Sequence, residues 1–294
     1  VNGSASDQTA NPGDPLRISI DYANSGNETI KNLSFSLAFS GDGTVPTLDW
    51  DKADLGGGTK TDGVITWTSA SRPEFSAFSP SMRGTIDLTI PVVGNLATPG
   101  LSSVITLLLS ASLSEVGSIS GARIIEASPL LVSINSDFRS SAHARYFTDG
   151  GDPVGTGPLP PKVGETTTYR VYWRVANSFH PLETVRMTTN LPPKVAWTES
   201  THADVGTITF DQTTRVVTWL IPAFPTALPG AEATFDVAIT PEEKDVGSFY
   251  KLTNAIAVEA TDAFTKDQVS NGIDILTTEL PEDEGAAGKG VVTK

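Results

Sequence analysis

Apolar residues along this chain recur at every second position, the period of half-buried strands, and the elements they predict are short. Leu16, Ile18, Ile20 and Tyr22 share one face, while Arg17, Ser19 and Asp21 share the other. Asn24-Ser25-Gly26-Asn27 is a turn whose glycine tolerates positive φ. Residues 30–39 return with Leu33, Phe35, Leu37 and Phe39 inward. Further strands are predicted over residues 64–68, 84–90, 103–112 and 123–134. No stretch combines a 3.6-residue apolar stripe with helix caps. The spacing predicts an all-β sandwich of roughly seven strands.

The alternation is clearest in Tyr169-Arg170-Val171-Tyr172-Trp173-Arg174-Val175. It breaks at Asn177-Ser178, resumes over residues 185–189 and ends at Leu191-Pro192-Pro193. These landmarks repeat the first half of the chain in order. Gly164 answers Gly13, Ala176-Asn177-Ser178 answers Ala23-Asn24-Ser25, and Val217-Thr218-Trp219 answers Ile65-Thr66-Trp67. Residues 233–241 answer 84–91, residues 252–260 answer 105–113, and residues 269–280 answer 124–134. A fixed order at a near-constant offset predicts one module used twice. Trp67 and Trp219 are expected to fill equivalent places between two sheets.

The predicted organisation is therefore two tandem β-sandwiches, over residues 12–143 and 163–280. Residues 1–11 read as a lead-in and residues 281–294 as a C-terminal linker into further sequence. Residues 144–162 read as an interdomain linker, bent at its glycines and stiffened by Pro158, Pro160 and Pro161.

Composition narrows the role. The 294 residues are 38% hydrophobic but only 18% charged, with 26 Gly and 20 Pro, a mixture suited to strands and tight turns. A net charge of −14 disfavours nucleic acid and anionic membrane surfaces as partners. No cysteine is present, so disulfides, thiolate catalysis and Cys-ligated zinc are excluded. The longest apolar run, residues 104–109, is too short to span a bilayer, so direct membrane insertion is not expected. Val1 is not a native start, and the chain reads as processed or as a fragment of an extracellular protein.

With those residues in view, the second module resembles the immunoglobulin-like "conserved repeat" domains of bacterial and archaeal cell-surface proteins. The resemblance rests on Gly164-Glu165, residues 169–175, Asn177-Ser178, Leu191-Pro192, Trp219, Pro229-Gly230, residues 235–239 and Leu252-Thr253-Asn254. The first module carries Pro12-Gly13-Asp14 and Asn24-Ser25-Gly26 but lacks the Leu-Pro and Leu-Thr-Asn landmarks. The resemblance implies an extracellular stalk, surface layer, adhesin or filament and no reaction. Its partners would be other copies of the chain or neighbouring repeat domains. The alternative is an adhesin that recognises a glycan or protein surface through loops at one sandwich end.

Candidate chemistry is sparse. His143, His180 and His202 fall in turns or near the linker and are expected to be solvated. Gly117-Ser118-Ile119-Ser120-Gly121 places isoleucine where a nucleophile elbow needs serine. No cofactor is required, and calcium is the one ion that the acidic loops invite. Asp49, Asp51 and Asp54 precede a Gly-rich loop, and Asp149, Asp152 and Glu165 cluster in sequence around the linker. Asn2, Asn27 and Asn32 fit the N-glycosylation sequon. Lys31 or Lys162 with Asn254 or Asn271 would be the partners of an internal isopeptide bond. Tyr169 and Trp173 share the parity of Val171 and Val175 and are expected in the core, whereas Tyr172 faces outward.

Overall fold

The structure, a computed structural model, describes residues 1–41, 47–97 and 101–294. It is all-β, with short 3-10 turns, and divides into two compact units, Val1–Asp137 and Phe138–Lys294.

Unit 1 holds β1 (Gln8–Ala10), β2 (Pro15–Ala23), β3 (Ile30–Lys31), β4 (Ser34–Ser40), β5 (Thr59–Thr61), β6 (Val64–Trp67), β7 (Ala77–Phe78), β8 (Arg83–Pro91), β9 (Val104–Val116), β10 (Ile119–Glu126) and β11 (Leu130–Ile134). One sheet runs β1-β11-β9-β4-β6-β5, with β10 also paired to β9. β2 and β8 form the second sheet. Their inward Leu16, Ile18, Ile20, Ile86, Leu88 and Ile90 are all buried, as are Phe35, Leu37 and Phe39 of β4. The predicted strand over 30–39 is divided, because Asn32 adopts φ 51° and separates β3 from β4. The predicted strand over 123–134 is also two strands. Pro129 cannot donate to a ladder, and the strand is interrupted there, β10 and β11 pairing one after the other along β9.

Unit 2 holds β12 (Arg139–Arg145), β13 (Thr167–Ala176), β14 (Leu182–Asn190), β15 (Val195–Ala203), β16 (Thr207–Asp211), β17 (Val216–Phe224), β18 (Gly230–Ile239), β19 (Ile256–Asp262) and β20 (Gln268–Ile273). Sheet β12-β13-β18-β15 packs on sheet β16-β17-β14-β19-β20 around a core that includes Tyr169, Val171, Trp173, Met187, Trp219, Phe235 and Val258.

The division falls between Asp137 and Phe138, not within residues 144–162. The reason is side-chain parity in residues 139–145, where alternating alanines allow β12 to pair antiparallel with β13. The segment after it is tied into the same unit, not left as a linker. Tyr146 is buried, and its hydroxyl donates to the Gly157 carbonyl at 2.6 Å. The last fourteen residues are likewise part of unit 2. Val292 and Ala286 are buried, and Lys162 bridges to Thr293 in parallel. Residues 1–11 likewise include a strand, β1, paired in parallel with β11.

The two tryptophans do occupy matching places. Trp67 and Trp219 are fully buried, and each indole N–H donates to a carbonyl of an upstream corner, Leu55 at 3.0 Å and Val205 at 2.8 Å. A glycine follows each acceptor, Gly56 at φ 59° and Gly206 at φ 75°. At each, a Cβ would lie 2.3 Å or less from a strand carbonyl, so no other residue fits. Trp67→Phe and Trp219→Phe should each destabilise their own unit by about 2 kcal/mol, through lost packing and an orphaned corner carbonyl. Chemical denaturation followed by far-UV circular dichroism should show the affected transition move while the other stays.

Candidate functional site

The first acidic trio is engaged locally. Lys52 Nζ donates to Asp49 Oδ2 at 2.6 Å and holds that carboxyl below the usual range. Asp54 accepts from the Gly56 amide at 3.0 Å, and its backbone exchanges two hydrogen bonds with Thr89 of β8. Asp54 therefore braces the corner that receives Trp67, while Asp51 is exposed. In the second trio, Asp149 pairs with Arg145. The Asp152 backbone closes a turn with Thr148, and Glu165 is exposed beside Lys162. Among the described residues, no three His, Cys, Asp or Glu side chains are grouped to hold a metal ion.

The histidines differ from one another. His202 is solvated, with Asp204 at 3.4 Å. His180 is not a solvated turn residue: it is buried, and its Nδ1 lies 3.2 Å from Oδ2 of the fully buried Asp262. Asp262 sits at the end of β19, where its Oδ1 accepts from the amides of Phe264 at 2.7 Å and Thr265 at 3.0 Å. Phe179 and Phe264 lie against the imidazole at 4.3 and 4.7 Å. This arrangement fastens the β13–β14 turn to the turn after β19. His143 is mostly buried on β12, stacked on Tyr172 at 5.0 Å with Glu282 at 3.3 Å. Burial holds its pKa below the ordinary imidazole value, against the pull of Glu282.

Asp283 was not anticipated from the sequence. It is buried in the C-terminal segment and accepts from the amides of Tyr146 and Phe147 at 2.6 and 2.8 Å. Asp262 and Asp283 look like ordinary acidic residues in sequence, because His180 lies 82 positions from the first, and Tyr146 and Phe147 lie 136 or more from the second.

The other sequence candidates are placed plainly. Tyr169 and Trp173 are fully buried, and burial raises the Tyr169 phenol pKa. Trp197 stacks on Phe210 and Phe235 at 5.2 Å each, leaving Tyr172 as the outward aromatic of that strand. Lys31 pairs with Glu115 at 2.6 Å, Lys162 is exposed, and Asn271 donates to Ser140 at 3.0 Å. Asn254 accepts from Thr189 through its carbonyl at 2.9 Å. Of the sequon asparagines, Asn27 is exposed on its turn, Asn32 donates to Ser114 at 2.8 Å, and Asn2 is bonded to Arg17 of β2.

The surface feature that stands out is a strand edge. Every residue of β10 is exposed, including Ile119 at 63%, Ile124 at 71% and Ile125 at 62%. Among the described residues β10 pairs with β9 alone, so one edge of it is open.

No protein-family model matches the chain, and a search of curated proteins finds no match. Among solved structures, the chain is similar to the C-terminal domain of the AgI/II polypeptide BspA from Streptococcus agalactiae, at 10% identity and TM-score 0.30, over 93% of this chain and 96% of that one. It is similar to the major pilin BcpA of Bacillus cereus at 11% identity and TM-score 0.34, over 89% and 69%. The collagen adhesin of S. aureus gives 12% identity and TM-score 0.27, over 92% and 89%. Values this low leave the fold assignment resting on the strand pairing described above.

Two outcomes follow for unit 2. Asp262→Ala should lower its stability by about 3 kcal/mol, since a fully buried, multiply bonded carboxylate is lost and its partners are stranded. Denaturant titration should show this in one transition only. The depressed pKa of His143 means that the unfolded chain takes up this proton first. Stability should therefore fall as pH drops through about 6.5 and be unaffected by this group above it. NMR titration should place His143 below the ordinary imidazole midpoint, and His143→Gln should remove that part of the pH dependence.

Proposed function

We propose that the chain is a non-enzymatic structural building block of an extracellular, cell-surface assembly, in which tandem β-sandwiches associate with other copies or with neighbouring repeat domains. The observation that carries this reading is the open, fully exposed edge strand β10 with its three isoleucines. Proteins that stay apart blunt such edges with charge, proline or a covering loop, because unpaired N–H and C=O groups recruit another strand. β10 carries a bulge between Ser120 and Arg123 and two charged residues, Arg123 and Glu126, yet it exposes isoleucine on both of its faces. Leu131 of β11, also exposed, extends the apolar surface. The net charge of −14 is consistent with a protein that stays soluble until a specific contact forms.

Sedimentation of the purified chain should show concentration-dependent association. Paired Ile124→Lys and Ile125→Lys substitutions should weaken it at least tenfold with unchanged circular dichroism. Electron microscopy of native material should show ordered fibres or a lattice. A chain that is monomeric at every concentration, from native material without ordered assemblies, would sink the proposal.

A further inference from the structure

The two units match in register yet differ at one strand position. Ser19 of β2 lies opposite Asp87 of β8 and is bonded to it at 2.6 Å. Arg170 of β13 lies opposite Asp236 of β18 and is bonded to it at 2.7 and 2.9 Å. In unit 2 the other side of β13 is occupied by β12, which sets Ala144 opposite Val171 and Ala142 opposite Trp173. Ala144 is buried, Ala142 packs against the core, and Ser140 accepts from Asn271 of β20, closing that side of the sandwich. In unit 1, among the described residues, β2 pairs with β8 alone.

Backbone parity says which groups are left. Thr89 exchanges both of its backbone hydrogen bonds with Asp54, so its groups point away from β2. Arg17, directly opposite Thr89, therefore points its own N–H and C=O away from β8. Ser19 and Asp21 share that parity. Asn2 takes up the Arg17 groups, donating from its amide at 2.7 Å and accepting through Oδ1 at 2.9 Å. Among the described residues, the outward N–H and C=O of Ser19 and Asp21 have no strand beside them. Next to them lies a groove of about 350 Å³ lined by apolar residues that include Ile18, Ile20 and Leu107, and also by Val1, Ser4 and Ala5 of the chain's own N-terminal turn, which an added strand would have to displace or pass. On the outer face Asp21 and Asp87 sit on adjacent strands, bonded to Thr85 and Ser19.

We propose that this edge and groove form an acceptor site for an extended peptide strand donated by another β-sandwich module of the same type. The strand would carry small apolar side chains at alternate positions and basic ones between, as β12 does. β12 shows the fit within the same molecule. Its inward Ala142 and Ala144 suit a shallow apolar groove, and its outward Arg139, His143 and Arg145 would meet Asp21 and Asp87. Main-chain pairing would supply the affinity and the alternate side chains the selectivity. The proposal draws on the assembly reading only for the source of the strand.

The test uses the full chain and a synthetic peptide of residues 137–147, with amide hydrogen exchange as the readout. Saturating peptide should slow exchange at Ser19 and Asp21 at least tenfold, and a peptide carrying Ala142→Asp and Ala144→Asp should not. Ser19→Pro, which removes an outward N–H at an edge position that tolerates proline, should abolish the effect. Fusing the same peptide ahead of Val1 through a flexible linker should give the protection without added peptide and raise the denaturation midpoint of unit 1. Unchanged exchange with both peptide and fusion would overturn the proposal, as would equal protection by the Ala→Asp peptide. Protection already present without peptide, and lost on Ile124→Lys, would assign the edge to β10 of a second copy and also overturn it. Assembly seen by microscopy without strand uptake would remove the acceptor site and leave the building-block reading intact. A strictly monomeric chain that takes up the peptide would do the reverse.

Discussion

The structure depends on a single constraint, that every backbone N–H and C=O taken out of water must find a partner. In a sandwich, the sheet interior meets it automatically and the edges do not. Each unit therefore spends much of its irregular sequence on edges and corners. Asn2 bonds to Arg17, Asp54 to Thr89 and Gly56, and Asp283 to the amides after β12. Many of the polar contacts off the strands are of this kind, one side chain satisfying one or two main-chain groups. The acidic residues that could be taken for ligands are in several cases serving as hydrogen-bond acceptors for the chain itself.

That division of labour decides what the sequence discloses. Parity along 16–22 and 169–175 gives the buried faces directly, because the side-chain period of a strand is fixed at two. The repeat of Trp67 and Trp219 is legible for the same reason: a large side chain between sheets needs the same neighbours each time. The corner glycines Gly56 and Gly206 were also within reach, as each sits twelve or so residues before its tryptophan. What was hidden is any bond between residues far apart that look unremarkable alone. His180 and Asp262 are 82 positions apart, and nothing about a His-Pro turn or a strand-ending Asp announces their meeting. The same holds for residues 139–162 and 281–294. Their glycines, prolines and charges suggest linkers, yet a few inward apolar residues and one buried carboxylate tie them down.

The buried pairs also explain why two units with one plan differ in detail. At the turns that follow β2 and β13 the units differ: unit 1 uses Asn24, whose amide donates to the carbonyls of Glu28 and Phe78. Unit 2 uses Asn177, which donates to the His180 carbonyl, and adds the His180–Asp262 contact. A neutral amide suffices where the acceptors are main-chain carbonyls. A buried carboxylate needs several donors, and Asp262 has the Phe264 and Thr265 amides as well as the imidazole. The second unit thus carries a costlier and more specific closure at the same place.

Edges impose the last condition. β10 and β2 are both incompletely paired, but they are not equivalent. β10 exposes isoleucine to water on both faces, so a flat apolar contact suits it. β2 keeps its apolar residues buried and leaves unpaired backbone beside a groove, so only something extended and narrow would fit. A helix is too wide to reach the Ser19 and Asp21 amides while filling a slot between sheets. A strand can, because its hydrogen-bonding groups lie in the sheet plane and its alternate side chains point across it. Geometry alone thus separates the two edges: one would suit a flat apolar contact, the other an added strand.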